Sequence, residues 1–171
     1  DGSTTRTGRV GGIVGAHEPG WITNNNSAFI TNVTLSGTPT YDTDGHIVAS
    51  STVISVDESK ASKDSIYVGG ITGYSTAYAY GFTGTSVSNK APNHVDGIIV
   101  KGYGNQTGGI SGLSYSVNNA IVENSLITQT KDPTDFQANY YGGVSGYNYY
   151  NFSYNTVKNT QMQVSNCNDV G

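Results

Sequence analysis

Cysteine is nearly missing from this chain. Cys167 stands alone among 171 residues, so no internal disulfide is possible, and no Cys/His cluster has metal-ligand spacing. No metal or other cofactor is expected. Charge is scarce as well: charged residues make up 12%, with Lys+Arg 8 against Asp+Glu 12 and a net charge of -4. With pI ≈ 5.1 there is no cationic footprint for a nucleic-acid backbone or an anionic membrane surface. No apolar run approaches the roughly 20 residues that span a bilayer, and Asp1-Gly2-Ser3-Thr4-Thr5 lacks the basic and apolar regions of a signal peptide. Proline is limited to 4 residues while aromatics reach 11%, which argues against disorder despite a mean hydropathy of -0.35. No stretch sustains an amphipathic helical stripe, because Gly or β-branched residues interrupt every candidate.

What fills the chain instead is glycine, 23 residues, and tyrosine, 13, among abundant Asn, Ser and Thr. The glycines are organised. Val10-Gly11-Gly12-Ile13-Val14-Gly15 returns as Val68-Gly69-Gly70-Ile71-Thr72-Gly73, Thr107-Gly108-Gly109-Ile110-Ser111-Gly112 and Tyr141-Gly142-Gly143-Val144-Ser145-Gly146. Asp169-Val170-Gly171 matches the opening of the same phrase, so the segment is expected to be cut in mid-repeat. Between the phrases, β-branched residues alternate with Asn, Thr or Ser, as in Phe29 to Leu35, Ala120 to Ile127 and Thr156 to Val164. Period-two alternation in short runs bounded by turn residues predicts strands.

Recurring phrases on short strands predict a β-solenoid, in which equivalent positions of successive coils stack about 4.8 Å apart. Two coils per phrase, each of roughly 17 to 20 residues, give roughly eight coils and a length of about 40 Å. Ile13, Ile71, Ile110 and Val144 are expected to point into one core, and stacked Asn side chains to satisfy backbone groups in the turns. Residues 1–171 are read as a single repeat domain.

The phrase Gly-Gly-Ile/Val-x-Gly, followed by strands such as Val122-Glu123-Asn124-Ser125 and Val157-Lys158-Asn159-Thr160, resembles the GLUG-motif repeats. These are known from bacterial surface adhesins and from non-catalytic parts of secreted immunoglobulin proteases. The resemblance covers most of the chain and implies a right-handed parallel β-helix, all-β, with no activity of its own.

Few residues suggest chemistry. Asp42-Thr43-Asp44-Gly45 reads as a turn, since a calcium loop needs further oxygen ligands that His46 to Ser50 do not supply. His17, His46 and His94 are far apart in sequence and without a nucleophile elbow or partner cysteine. Asp42, Asp44, Lys60 and Lys63 are the one local cluster suited to a β-helix polysaccharide lyase or hydrolase. Cys167 is expected to be a buried, inert thiol. Tyrosine is more telling: Tyr74, Tyr78, Tyr80, Tyr103 and Tyr115 fall at comparable turn positions, and Tyr147, Tyr149 and Tyr150 crowd one coil. Rings of this kind either stack along the turns or dock a sugar or protein surface. Asn-x-Ser/Thr sequons at Asn25, Asn32, Asn105 and Asn151 are candidate glycosylation acceptors, with Asn32 inside a strand pattern and able to face inward.

The expected function is therefore a non-catalytic, extracellular or cell-surface structural or adhesive solenoid. Its expected partners are further copies of itself or a surface glycan or protein, with no nucleic acid and no membrane insertion. A self-assembling filament subunit and a polysaccharide-cleaving β-helix enzyme are the alternatives.

Overall fold

The computed structural model describes residues 8–17, 30–56, 66–75, 91–103, 106–129, 140–150, 152–165, 167 and 169–171. All regular structure among them is β. A first pass of the chain holds β1 (Gly8–Gly11), β2 (Val14–His17) and β3 (Thr34–Ser36). A hairpin, β4 (Pro39–Tyr41) and β5 (Ile47–Ser50), then precedes β6 (Val53–Ser55). The second pass is β7 (Ile66–Gly69), β8 (Thr72–Ser75), β9 (Asn93–Asp96) and β10 (Ile99–Gly102). The third is β11 (Gln106–Gly108), β12 (Ser111–Ser114), β13 (Val117–Asn118), β14 (Ala120–Glu123) and β15 (Leu126–Gln129). The fourth is β16 (Tyr140–Gly142), β17 (Ser145–Asn148), β18 (Phe152–Ser153), β19 (Thr156–Lys158) and β20 (Gln161–Gln163), after which β21 (Asp169–Val170) follows.

Equivalent strands of successive passes pair in parallel. The sheets run β1-β7-β11-β16-β21, β2-β8-β12-β17, β3-β9-β14-β19 and β6-β10-β15-β20, with a short β13-β18 pair and the antiparallel hairpin beside them. This arrangement is compatible with a parallel β-helix. The expectation of two coils per glycine phrase does not match the pairing, because consecutive phrases are direct neighbours: Val10 pairs with Val68, Val68 with Thr107, and Thr107 with Tyr141. One pass accompanies each phrase, and the count of roughly eight, which rested on an intervening coil, loses its basis.

The register explains the phrase. A Cβ on Gly70 would collide with Gly109 O and one on Gly109 with Gly143 O, carbonyls of the next pass. They would also meet Ile98 Cδ1 at 3.1 Å and Val122 Cγ1 at 2.8 Å, so at these two positions neighbouring backbone and core leave no room for a side chain. In three of the four phrases, all but the first with its Val14, the fifth position carries a hydroxyl that caps a local carbonyl: Thr72 Oγ1 donates to Tyr74 O at 3.0 Å, Ser111 Oγ to Leu113 O at 2.9 Å and Ser145 Oγ to Tyr147 O at 2.9 Å. At the last position, a Cβ on Gly112 would lie 2.5 Å from Val68 N and 2.8 Å from Tyr67 C, so β12 packs backbone against backbone on the preceding pass.

Val68, Val95, Val100, Val122 and Ile127, from three of these sheets, are fully buried in one cluster. Each such side chain contributes roughly 1.5–3 kcal/mol through apolar burial. Ile71, Ile110 and Val144 join it, as the phrase predicts. Ile13 does not. It is 50% exposed, because β1 and β2 are edge strands and no pass among the described residues lies beyond them to cover it.

Corners between sheets are made by residues in the left-handed region. Asn124 (φ 49), Asn159 (φ 49) and Gly97 (φ 67) occupy the corner before the β10-β15-β20 strands, a conformation Asn and Gly tolerate at low cost. Asparagines also bridge passes, as expected of an Asn ladder: Asn155 Oδ1 accepts from Ala120 N at 3.0 Å while its Nδ2 donates to Val117 O at 2.9 Å. Asn93 does the same in that column two passes earlier, accepting from Val33 N and donating to Ile30 O.

Candidate functional sites

The tyrosines gather on the outer face of the two glycine-phrase sheets. Arg9, Tyr67, Gln106 and Tyr140 form one column by register, and Ala16, Tyr74, Leu113 and Tyr147 form the column beside it. Tyr67 stacks on Tyr74 with centroids 5.5 Å apart, and the Arg9 guanidinium lies 4.2 Å above the Tyr74 ring. Tyr140 meets Tyr147 edge-on at 5.4 Å, Tyr147 meets Tyr149 at 4.9 Å, and Tyr115 packs on both Tyr149 and Tyr150. The rings thus form a pair on the second pass and a larger group that joins the third pass to the fourth.

Of the rings expected on turns, Tyr115 follows β12 in a bend and Tyr103 follows β10 outside regular structure, whereas Tyr74 lies on a strand. Tyr67, Tyr140 and Tyr147 also lie on strands, and Tyr149 and Tyr150 follow β17 in a bend. Exposure rises toward the fourth pass: Tyr147 is 37%, Tyr149 52% and Tyr150 60% exposed. Burial, followed by the neighbouring Tyr147, Tyr115 and Tyr67, pushes the Tyr149 hydroxyl above the usual phenol range. Tyr78 and Tyr80 lie outside the described residues. Tyr141 faces the other way, into the core, where burial pushes its hydroxyl up to about 12; Cys167 adds to the rise and Thr107 opposes it. Neither Tyr141 Oη nor Thr107 Oγ1 makes a hydrogen bond, so burial governs. Cys167 is half-buried, packs against the core edge and donates to Ser165 O at 3.2 Å.

Asp42 and Asp44 do form a turn, at the tip of the β4–β5 hairpin. Asp42 Oδ1 accepts from Asp44 N at 3.0 Å and from His46 N at 2.8 Å, and Gly45 takes φ 83. Its Oδ2 lies 3.3 Å from His46 Nδ1. The His46 backbone hydrogen bond is the first cause holding the Asp42 carboxyl below the usual range. The hairpin folds over the outer face of the β10-β15 sheet, where Ile47, Ile99 and Leu126 make a second small core, and Gln161 ties it down through Ile47 N and Gly45 O. An open groove of about 590 Å³ runs between them, lined by Asp42, His46, Lys101 and Gln163 among others. Lys60 and Lys63 lie outside the described residues.

A second cluster was not foreseen. His94 and Asp96 alternate along β9, and Glu123 on β14 pairs directly with Asp96. His94 Nε2 lies 2.8 Å from Glu123 Oε1, and both side chains are half-buried. Asp96 Oδ1 accepts from Asn124 Nδ2 at 2.8 Å. Sequence distance hid this group. Its signal was His-x-Asp on a strand, which puts both on one face, together with an acid at the matching position of the next repeat. His17, by contrast, lies 3.3 Å from Ser75 Oγ and belongs to no such group among the described residues.

Asn32 is exposed and sits at a corner with φ 58, so it does not face inward as its strand-like surroundings predict. Asn25, Asn105 and Asn151 lie outside the described residues. No family model matches the chain, and no curated protein or solved structure matches it either.

Proposed function

We propose that the protein is a non-catalytic, extracellular structural or adhesive segment, built as a right-handed parallel β-helix of the GLUG-repeat kind. It binds through its tyrosine face, either to further copies of itself or to a surface glycan or protein. The observation that carries this reading is the exposed group Tyr147, Tyr149 and Tyr150, packed with Tyr115 of the preceding pass and with Tyr140. Such rings offer apolar area with a polar handle and little rotamer entropy to lose on contact. A scaffold whose strands repeat in register holds them at fixed spacing, which suits extended contact. Four sequons, one of them on an exposed corner, agree with export.

The polysaccharide-cleaving alternative has one observation in its favour, the groove beside Asp42, His46 and Lys101. Asp42 is poorly suited to acid-base work there. Its Oδ1 is occupied by two backbone amides and its carboxyl is held low, so it is a weak base and stays ionised at neutral pH.

Replacing Tyr147, Tyr149 and Tyr150 together with Ser tests the reading. Self-association by analytical ultracentrifugation and glycan-array binding are expected to fall, while the far-ultraviolet spectrum and unfolding midpoint stay close to wild type. Retained association and binding, combined with polysaccharide cleavage that Asp42→Asn abolishes, would establish the enzyme instead.

A further inference from the structure

We propose that His94, Asp96 and Glu123 form a binding site for a divalent first-row transition ion, for which zinc is the natural probe. The donors are one imidazole nitrogen and two carboxylates, whose ligand atoms all lie within 4.8 Å of one another. A tetrahedral ion with bonds of about 2.1 Å holds its donors roughly 3.4 Å apart. That separation falls inside the span these side chains already have. All three rise from the outer face of paired parallel strands, where Val95 and Val122 point into the core and fix the backbone beneath them.

Charge supplies an independent argument. Asp96 and Glu123 are directly opposed across two hydrogen-bonded strands, an arrangement that destabilises a sheet unless a cation lies between or beside the carboxylates. Lys158 is Glu123's register partner on the other side, and His94 touches Glu123 Oε1. No cation among the described side chains pairs by register with Asp96, whose neighbours in that column are Ser36 and Glu123. A bound ion relieves this repulsion.

Asn124 completes the arrangement from behind. Its Nδ2 holds Asp96 Oδ1, and its own Oδ1 accepts from Asn159 Nδ2 at 3.3 Å, so the carboxylate is oriented by a chain of amides across passes. Such outer partners fix the ligand rotamer in protein metal sites. The exposed trio Asp42, Asp44 and His46 is the weaker competitor. Asp42 Oδ1 is already taken by two backbone amides there, and all three residues are exposed. An imidazole in the donor set favours zinc, nickel, copper or cobalt over calcium or magnesium. Because the ion would bridge β9 and β14, it would clamp the second pass to the third. This inference stands whether or not the tyrosine face binds a partner.

The test is equilibrium dialysis of metal-stripped protein against zinc, with cobalt(II) absorption as a second readout. Wild type is expected to bind one equivalent, to raise its unfolding temperature with zinc and to give the visible bands of a nitrogen- and oxygen-ligated cobalt ion. His94→Gln and Glu123→Gln should each weaken binding at least tenfold, and Asn124→Ala by about tenfold through loss of ligand orientation. Lys158→Ala should tighten it, since a competing cation is removed. His46→Gln should leave it unchanged. Binding no tighter than millimolar in wild type, equal binding by His94→Gln and wild type, or loss of the equivalent in His46→Gln would each overturn the proposal. If His94→Gln fails to fold by circular dichroism, Glu123→Gln and the wild-type cobalt spectrum decide it.

Discussion

Gly112→Ala tests the backbone-on-backbone contact between passes. The added Cβ would lie 2.5 Å from Val68 N, 2.7 Å from Gly73 O and 2.8 Å from Tyr67 C, all of them backbone atoms of the preceding pass. Ordinary contacts between such atoms begin at about 3.5 Å, so a displacement of about 1 Å is required. None of the three atoms belongs to a side chain that can rotate away. The strain therefore falls on the hydrogen bonds joining β12 to β8 and β17, whose registers are fixed on both sides. Overpacking of this kind costs about 3 kcal/mol or more. Gly143→Ala is the matched control. Its Cβ would meet Val157 Cγ2 at 3.0 Å and Cγ1 at 3.1 Å, but Val157 is 51% exposed and able to move, so a cost below about 1 kcal/mol is expected. Urea unfolding followed by circular dichroism reads both as midpoint shifts at constant slope. Equal costs for the two variants, or a Gly112→Ala protein within about 0.5 kcal/mol of wild type, would refute backbone-on-backbone packing as the reason for the phrase's last glycine.

Ser125→Ala removes a buried hydroxyl that accepts from Ile98 N at 3.2 Å and donates to Glu123 O at 2.7 Å. The orphaned Ile98 amide should lower stability by about 1–3 kcal/mol in the same urea assay, and a neutral result would show that the corner relaxes to find another partner. Tyr141 predicts a loss of stability in alkali. Its folded value of about 12 lies above the ordinary 10.0, so the neutral form is favoured in the native state. That contribution, at most about 3 kcal/mol, is present below pH 10 and disappears as pH rises toward 12. Tyr141→Phe should unfold less steeply than wild type over that interval, and identical alkaline profiles would contradict the burial of the phenol.

Much of the strand pattern was legible because the repeat and the two-residue alternation agree: the strands through Val68, Val122 and Val157 fall where β-branched residues alternate with polar ones. The number of passes was not, since intervals between phrases also hold insertions such as the β4–β5 hairpin, and extra length resembles extra coils. Ile13 shares the phrase with Ile71 but not its environment, because burial on an edge strand depends on whether a neighbour covers it. Tyrosine content pointed to an aromatic surface, yet its place on strands followed only from the pairing of Tyr67 with Gln106 and of Tyr74 with Leu113. His94, Asp96 and Glu123 needed the same register, as no local motif joins residues on different passes.

The central claim is that each glycine phrase is the in-register neighbour of the next. Disulfide formation between cysteines at positions 106 and 140, in a Cys167→Ser background, tests it most directly. Gln106 and Tyr140 are direct partners on β11 and β16. Neighbouring strands lie about 4.8 Å apart, inside the reach of a disulfide, whereas an intervening coil would separate the two positions by about 9.6 Å and prevent the bond. The account predicts rapid, complete cross-linking of the 106/140 pair under mild oxidation and none for a 67/140 pair, which is two passes apart. Cross-linking of 67/140 with a free 106/140 pair would contradict it.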